Sequence, residues 1–252
     1  MALITATQVI DTAFTNKNTD QYLVKPAFIE IAEYNFIQPA IGEKLYEIIS
    51  EEMNDAVTWT YIDVECQVTA GSNNVVISFP GDADFIKVHD FVSSPDIPLY
   101  EDSTNSSNSG ECCRGLNKVT SVTLDANNNI SAITISGAAK ITSPLAKLKV
   151  RRPHGVLVED YIQKYLAFCV KFEMLPDISY NTTSQGVVEN VGEFTMPVDS
   201  KKLNFLRNET FKKSDTYLRR MIEFLNENDE AYPDYCNETE GGVSKTNGII
   251  LY

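Results

Sequence analysis

The spacing of apolar residues divides the chain into three parts. Residues 1–56 and 151–236 repeat apolar positions every three to four residues, which indicates helices. Residues 57–150 instead alternate apolar and polar positions, which indicates strands. The pattern therefore predicts an α+β protein: a helical bundle built from 1–56 and 151–236, an inserted small all-β barrel or sandwich at 57–150, and an extended C-terminal tail at 237–252.

The first helices are indicated by their capping and breaking residues. Thr5 and Gln8 have the spacing of a capping box, so a helix is predicted to begin there. Pro26 suits the first turn of a second helix, because its missing N–H would be unpaired there anyway. This helix is predicted to end before Pro39, since proline disfavours helical geometry in the preceding residue. Pro39 and Gly42 are thus predicted to form a tight corner before the next helix.

The middle of the chain carries the signals of six strands. TYIDVECQV and NNVVISF alternate around the turn TAGSN, and KVTSVTL and ISAITIS alternate around DANNN. Two further strands are predicted in KVHDFV and LAKLKV. Six short strands are typical of a small barrel or sandwich.

Two long helices are predicted in the C-terminal part. The first, 156–175, is apolar around nearly its whole circumference, so it is expected to be buried on more than one side. Its second side either completes the core of its own chain or contacts a neighbouring subunit. The last helix, 199–225, carries seven basic residues against four acidic ones. Its polar face is either solvated or a contact for an acidic partner or DNA.

The connection between these helices, 176–198, is unusually long for a loop without regular structure. It has strand-like composition and no obvious partner, so we predict that it pairs as a strand with an adjacent chain. The predicted subunit interface consists of Gln185, Gly186, Val187, Val188, Glu189, Asn190, Val191, Phe194 and Met196. The apolar end of the polar tail is predicted to anchor it on a neighbouring subunit or on a further protein beyond it, through Ile249, Ile250, Leu251 and Tyr252.

Charge and composition exclude some classes of function. A net charge of −14 argues against a protein that wraps nucleic acid, because phosphate binding depends on Lys and Arg. No signal peptide or membrane-spanning segment is predicted. The five cysteines are expected to be reduced thiols, and the two histidines, His89 and His154, have no nucleophile in a suitable context. We therefore expect no catalytic, cofactor-binding or metal-binding residues.

Several segments resemble head-to-tail connector proteins of tailed bacteriophages. They are FIEIAEYNFIQPAIGEKLYEII, EDYIQKYLAFCVKFEMLPDIS, QGVVENV, KKLNFLRNETFKKSDTYLRRMIEFL and YPDY. The resemblance is to the adaptor or ring proteins of crAss-like and other Bacteroidetes-infecting phages, and it covers residues 1–56 and 151–236. The β segment 57–150 departs from the pattern, since a short helical connection is more usual there.

The resemblance implies a non-enzymatic structural protein of the virion, assembled in the bacterial host cytoplasm and located at the portal vertex. It implies a ring, expected to contain twelve copies, that docks on the portal protein and contacts further tail or connector ring proteins. Genomic DNA would pass through the lumen without specific binding, and no membrane or cofactor is involved. The alternative is a monomeric binding module for carbohydrate or a host surface, in which the β domain binds through residues such as Trp59 and Tyr61.

Overall fold

The computed structural model describes residues 2–15, 20–79, 83–94, 116–139, 142–183, 186–189 and 200–235, with backbone alone for 178–183, 186–189 and 200. The chain forms two compact units. One consists of Met1–Ala56 with Val158–Tyr252, and the other is Val57–Leu157. The fold is mixed helix and sheet, as the sequence predicts.

The helical elements lie at the two ends of the chain. The α-helices are α1 Ala6–Ala13, α2 Pro26–Ala32, α3 Gln38–Ile41, α4 Glu43–Asn54, α5 Pro153–Val156, α6 Gln163–Ser179 and α7 Ser200–Glu227. Two π-helical turns connect some of them, at Glu33–Ile37 and Leu157–Ile162, and short 3-10 turns lie at Gln21–Leu23 and Asp229–Ala231.

The strands form two separate sheets. They are β1 Thr60–Val68, β2 Asn74–Ile77, β3 Phe91–Ser93, β4 Asn117–Leu124, β5 Ile130–Ile135, β6 Ser143–Arg151, β7 Tyr180–Thr183 and β8 Gly186–Glu189. The first six close into an antiparallel barrel in the order β1-β2-β5-β4-β3-β6, and β7 and β8 form a hairpin of their own.

The predicted capping box is confirmed at the start of α1. The Thr5 hydroxyl accepts a hydrogen bond from the Gln8 amide at 3.3 Å, and the Gln8 side chain accepts one from the Thr5 amide at 2.8 Å. Both bonds satisfy N–H groups that lack partners within the helix. The helix then buries Val9, Ile10 and Ala13.

The predicted helix end before Pro39 is wrong, and only Gly42 forms a corner. The helix continues through the π-helical turn Glu33–Ile37 into α3, which contains Pro39. In the π turn the Gln38 N–H donates to the Glu33 carbonyl, five residues back. Pro39 therefore lies in the first turn of a new helical segment, where its missing N–H costs nothing. The chain turns at Gly42, whose φ is 85°.

The sequence left two architectures open for the β segment, a barrel and a sandwich, and the six strands close into a barrel. All six of its strands contribute buried side chains to the interior, and β3 does so through Val92. Aliphatic side chains such as Val75, Ile133 and Leu148 are fully or almost fully buried. The predicted strand KVHDFV is shorter than expected, because only Phe91–Ser93 pairs. His89 has a φ of 74°, which is outside strand geometry, so the preceding residues form a turn.

The apolar helix α6 is buried by its own chain. It packs against α1, α2 and α7. Stacked and edge-on rings line these contacts: Phe36 with Phe172, Phe168 with Tyr217, and, from the adjoining π turn, Tyr161 with Phe224. Of the two alternatives for the second side of this helix, the structure supports completion of the chain's own core.

The connection after α6 contains regular structure. The helix extends past the predicted end, through Pro176 to Ser179, and β7 follows directly. The strand-like segment has a partner in its own chain, since Val188 of β8 lies opposite Asn181 of β7 and Gly186 lies opposite Thr183. This partner could not be predicted, because Tyr180–Thr183 does not alternate between apolar and polar residues.

Candidate functional site

A β-bulge in β1 creates the most distinctive surface of the barrel unit. Tyr61 lies opposite Val150 and Val64 lies opposite Leu148, so two residues of β1 face one residue of β6. At the bulge Asp63 has a φ of 63°, a conformation that aspartate tolerates better than most residues. Strict alternation would bury Ile62 with Val64, but the bulge turns Ile62 outward and leaves it 68% exposed.

The wall beside the bulge is held by a part-buried ion pair. Arg152 donates from Nη1 to Asp90 Oδ2 at 2.7 Å and from Nη2 to the Phe85 carbonyl at 2.6 Å. The Phe85 ring stacks on Tyr61 with 3.9 Å between centroids, and the Arg152 guanidinium lies 5.5 Å from the Tyr61 centroid. Burial raises the pKa of Asp90, although the Lys87 amide and Arg152 oppose the shift. These contacts fix both aromatic rings.

The bulge and this wall enclose a pocket of about 360 Å³. It is lined by Tyr61, Ile62, Asp63, Val64, Glu65, Ile77, Phe79 and Phe85. Phe79 is 57% exposed, so the pocket presents an aromatic ring together with the carboxylates of Asp63 and Glu65 to a partner. Lys147 Nζ contacts Asp63 Oδ1 at 3.1 Å. The pocket is suited to an apolar side chain that is accompanied by positive charge. Sequence reasoning missed it, because bulges leave no mark on an alternating pattern.

The outer surface of α7 is a second exposed apolar surface, in the other unit. Phe205 is 64% exposed and Leu206 is 46% exposed. Phe205 lies on the side opposite the buried Leu203 and Ser214. The segment 200–213 carries five basic residues and one acidic residue, Glu209, which bonds to Lys212 at 2.8 Å. This surface therefore combines an exposed ring with positive charge.

The predicted subunit interface falls partly on the hairpin. Gly186, Val187, Val188 and Glu189 form β8. The remaining predicted interface residues lie outside the described residues: Gln185, Asn190, Val191, Phe194 and Met196. The predicted tail anchors lie outside them as well: Ile249, Ile250, Leu251 and Tyr252.

The hairpin presents main-chain groups along one edge. Directly opposed residues of an antiparallel pair alternate between hydrogen-bonded and non-bonded pairs. Two residues separate the strands, which makes Thr183 and Gly186 a bonded pair, and Asn181 and Val188 the next one. The N–H and C=O groups of Val187 therefore point to the outer edge of β8. Among the described residues, β8 pairs with β7 alone.

The described cysteines and histidines are dispersed through the fold. The described residues hold no group of three or more His, Cys, Asp or Glu side chains placed to bind a metal ion. Cys66 and Cys169 are buried, and burial raises the pKa of the Cys66 thiol to about 12. A protonated, buried thiol is a poor nucleophile. His89 lies in the turn before β3, and His154 lies in α5.

In the described ranges, no helix combines the length and the apolar character that a membrane span requires.

Part of the chain matches a known protein family. No match to the chain was found among curated proteins or among solved structures. Residues 123–245, just under half of the 252 residues, match a family of unknown function, DUF6712. The matched stretch runs from the end of β4 through β5, β6, α6, the hairpin and α7. Over these residues the chain is similar to DUF6712, whose description names no activity.

Proposed function

We propose that the chain is a structural subunit of a head-to-tail connector ring in a tailed bacteriophage. In this proposal the ring docks on the portal protein and continues the DNA channel towards the tail, with further ring or tail proteins below it. The subunit has no enzymatic role. The ring is expected to contain twelve copies, and DNA passes through its lumen without specific binding.

The hairpin between α6 and α7 is the observation that carries the proposal. Its outer edge has main-chain donors and acceptors on β8, and such an edge recruits a strand from another chain. The edge includes four of the residues that the sequence predicts as subunit contacts: Gly186, Val187, Val188 and Glu189. Strand addition joins copies without a deep pocket.

The placement of the connector-like segments also supports the proposal. They lie in α2–α4, α6, β8, α7 and the residues after it, and all of these belong to the unit Met1–Ala56 with Val158–Tyr252. The barrel is the part that departs from the connector pattern, and it forms the other unit. The segments that carry the resemblance thus fall within one structural unit.

The burial of α6 changes where the ring contacts must lie. Because α1, α2 and α7 cover the apolar residues of this helix, its described part offers no exposed apolar side chain to a neighbour. Contacts between copies therefore fall to the hairpin and to the exposed apolar surfaces of the barrel and α7.

The test is a particle structure. Electron cryomicroscopy of the virus that encodes the chain should show it as a closed ring against the portal. Isolated copies on the capsid or on tail fibres would contradict the proposal. A monomer in dilute solution does not contradict it, because docking on the portal would bring the copies together.

The second candidate function, a monomeric module that binds carbohydrate or a host surface, is favoured by the barrel pocket. Tyr61, however, has one ring face against Phe85, so that face is not available to stack on a sugar. Trp59 packs against Gly155. Sugar stacking would thus depend on the exposed Phe79. Binding of the purified chain to a glycan array, lost in Phe79→Ala, would support this candidate over the ring.

A further inference from the structure

The barrel pocket and the outer surface of α7 match in size. A cavity of about 150 Å³ is enough to hold benzene. The pocket has about 360 Å³, which accommodates a phenyl ring and part of a second side chain. Phe205 and its neighbour Leu206 are large, apolar and exposed. Together they are an occupant of the right volume and chemistry.

The two surfaces also match in charge. Asp63 and Glu65 line the pocket, its described lining contains no basic residue, and Lys147 pairs with Asp63 from outside it. On α7, Lys201 and Lys202 are exposed and lie one turn before Phe205. If the phenyl group of Phe205 enters the pocket, these ammonium groups come close to the carboxylates.

The net charge of the chain makes this match selective. The chain carries −14, of which the helix segment 199–225 contributes +3 from seven basic and four acidic residues, so the remainder carries −17. Copies with such a charge repel one another, and association is favoured only where opposite local charges meet. The exposed aromatic ring of Phe205 lies among the basic residues of α7, so it brings positive charge to a pocket whose lining is acidic.

We propose that Phe205 of one copy inserts into the pocket at Ile62 and Phe79 of a second copy, with Lys202 beside Glu65. The two surfaces are different patches of one chain, so the contact is heterologous and propagates from copy to copy. This inference rests on the proposed function in one respect, since a ring is the closed form of such a contact. It names the patches that meet.

Photo-crosslinking of the full chain tests this contact. A benzophenone amino acid replaces Phe205, and equal amounts of ¹⁵N-labelled and unlabelled chain are mixed at the highest soluble concentration and irradiated. We expect crosslinks of mixed isotope composition from position 205 to Ile62 or Phe79. Crosslinks confined to one chain, crosslinks to another surface, or none would overturn the proposal. The same amino acid at Tyr22, which is 90% exposed, is the matched control and should not reach the pocket.

A charge exchange adds a second readout. Lys202→Glu and Glu65→Lys should each lower the yield of the intermolecular crosslink by roughly tenfold, because each places like charges together. The double variant should recover the yield. Lys202 is exposed on a helix, so Lys202→Glu leaves the fold intact, which circular dichroism checks. Equal yields in all variants would overturn the pairing of these two residues.

The two proposals fail in distinguishable ways. A crosslink between position 205 and the pocket, together with particles that hold no ring of this chain, would refute the connector function alone. A ring in the particle whose adjacent copies keep Phe205 away from the pocket would refute this contact alone.

Discussion

Arg152 and Asp90 form an ion pair in the barrel unit, with 2.7 Å between Nη1 and Oδ2 and with the Asp90 side chain almost fully buried. Removal of one member of a buried pair leaves an uncompensated charge, which costs about 3–5 kcal/mol. The pair also holds Phe85 through its carbonyl, and thereby the wall of the pocket. Its loss is therefore expected to affect both stability and the pocket.

Arg152→Ala should lower the free energy of unfolding by about 3 kcal/mol for this reason. Lys147→Ala is the matched control, because its ion pair with Asp63 is exposed and such pairs contribute less than about 1 kcal/mol. Urea denaturation of the three proteins, followed by circular dichroism, measures the difference. Equal losses in the two variants would contradict the structural role of the Arg152 pair.

The second prediction concerns Glu33, a buried carboxylate that accepts hydrogen bonds from the Leu3 amide at 2.7 Å and the Tyr46 hydroxyl at 3.1 Å. Burial raises the pKa of Glu33 above its ordinary value of 4.5, although both hydrogen bonds oppose the shift. In the interval between these two pKa values the folded chain holds a proton that the unfolded chain has lost. The stability contributed by Glu33 is therefore complete below pH 4.5 and falls as pH rises to the raised pKa.

Glu33→Gln removes this dependence. The stability of the variant relative to the native chain should accordingly rise between pH 4.5 and neutral pH. Glu30→Gln removes a neighbouring charge that helps to raise the pKa of Glu33, so it should show the same trend to a smaller extent. Melting temperatures across this pH range provide the comparison. A relative stability that falls with pH would mean that the hydrogen bonds outweigh the burial.

The third prediction concerns Gly155 and Gly42, each of which requires glycine for a different physical reason. A Cβ at Gly155 would lie 2.6 Å from the Trp59 Cβ, so Gly155→Ala should destabilise the barrel unit by about 1–3 kcal/mol through overpacking. A Cβ at Gly42 meets nothing within 4 Å, but its φ of 85° with ψ of 152° is essentially limited to glycine. Gly42→Ala should cost a similar amount, about 1–3 kcal/mol, through backbone strain.

The measurement is chemical denaturation, and two double variants distinguish the causes. Trp59→Gly removes the Cβ that a side chain at Gly155 would meet, so the loss in Gly155→Ala with Trp59→Gly should be smaller than the sum of the two single losses. Gly42→Ala with Trp59→Gly should be additive, because a Cβ at Gly42 meets nothing within 4 Å. Additivity in both pairs would argue against a clash at Gly155.

The fourth prediction concerns the outer edge of the hairpin. Val187→Pro removes an N–H that points outward, and it should prevent incorporation of the chain into particles while the subunit remains folded. Val188→Pro removes an N–H that bonds to β7, so it should disrupt the hairpin itself. Particle incorporation by immunoblot and amide hydrogen exchange of β7 report the two effects. Normal incorporation of Val187→Pro would show that this edge does not join copies.

Local signals with a single physical cause were readable in the sequence. The capping box at Thr5 depends on two side chains three residues apart, and it is present as predicted. The alternation that predicts β1, β2, β4, β5 and β6 follows from the burial of one face of each strand. Both signals lie within a few residues, so no knowledge of the rest of the fold is required.

Features that leave no periodic pattern of apolar residues could not be predicted from the sequence. Pro39 is accommodated by a change in the hydrogen-bond register of the preceding turn, which no residue type announces. Ile62 is exposed because β6 offers one residue opposite two of β1. The partner of β8 is a polar segment that forms a strand because it follows α6 directly and pairs locally. The pocket escaped prediction for the same reason as the bulge that forms it.

The chain enters and leaves the barrel at neighbouring positions, and this has a consequence for the evolution of the protein. Thr60 at the start of β1 lies opposite Arg151 at the end of β6, and the Arg152 amide donates to the Trp59 carbonyl at 2.7 Å. Opposed residues in an antiparallel ladder have Cα atoms about 4.5–5.5 Å apart, little more than one residue's advance along the chain. The polypeptide thus leaves the barrel beside the point where it entered. Excision of the whole barrel would leave a gap that one or two residues span. The barrel can therefore be gained, exchanged or lost in evolution as one module without a change in the backbone of the helical unit.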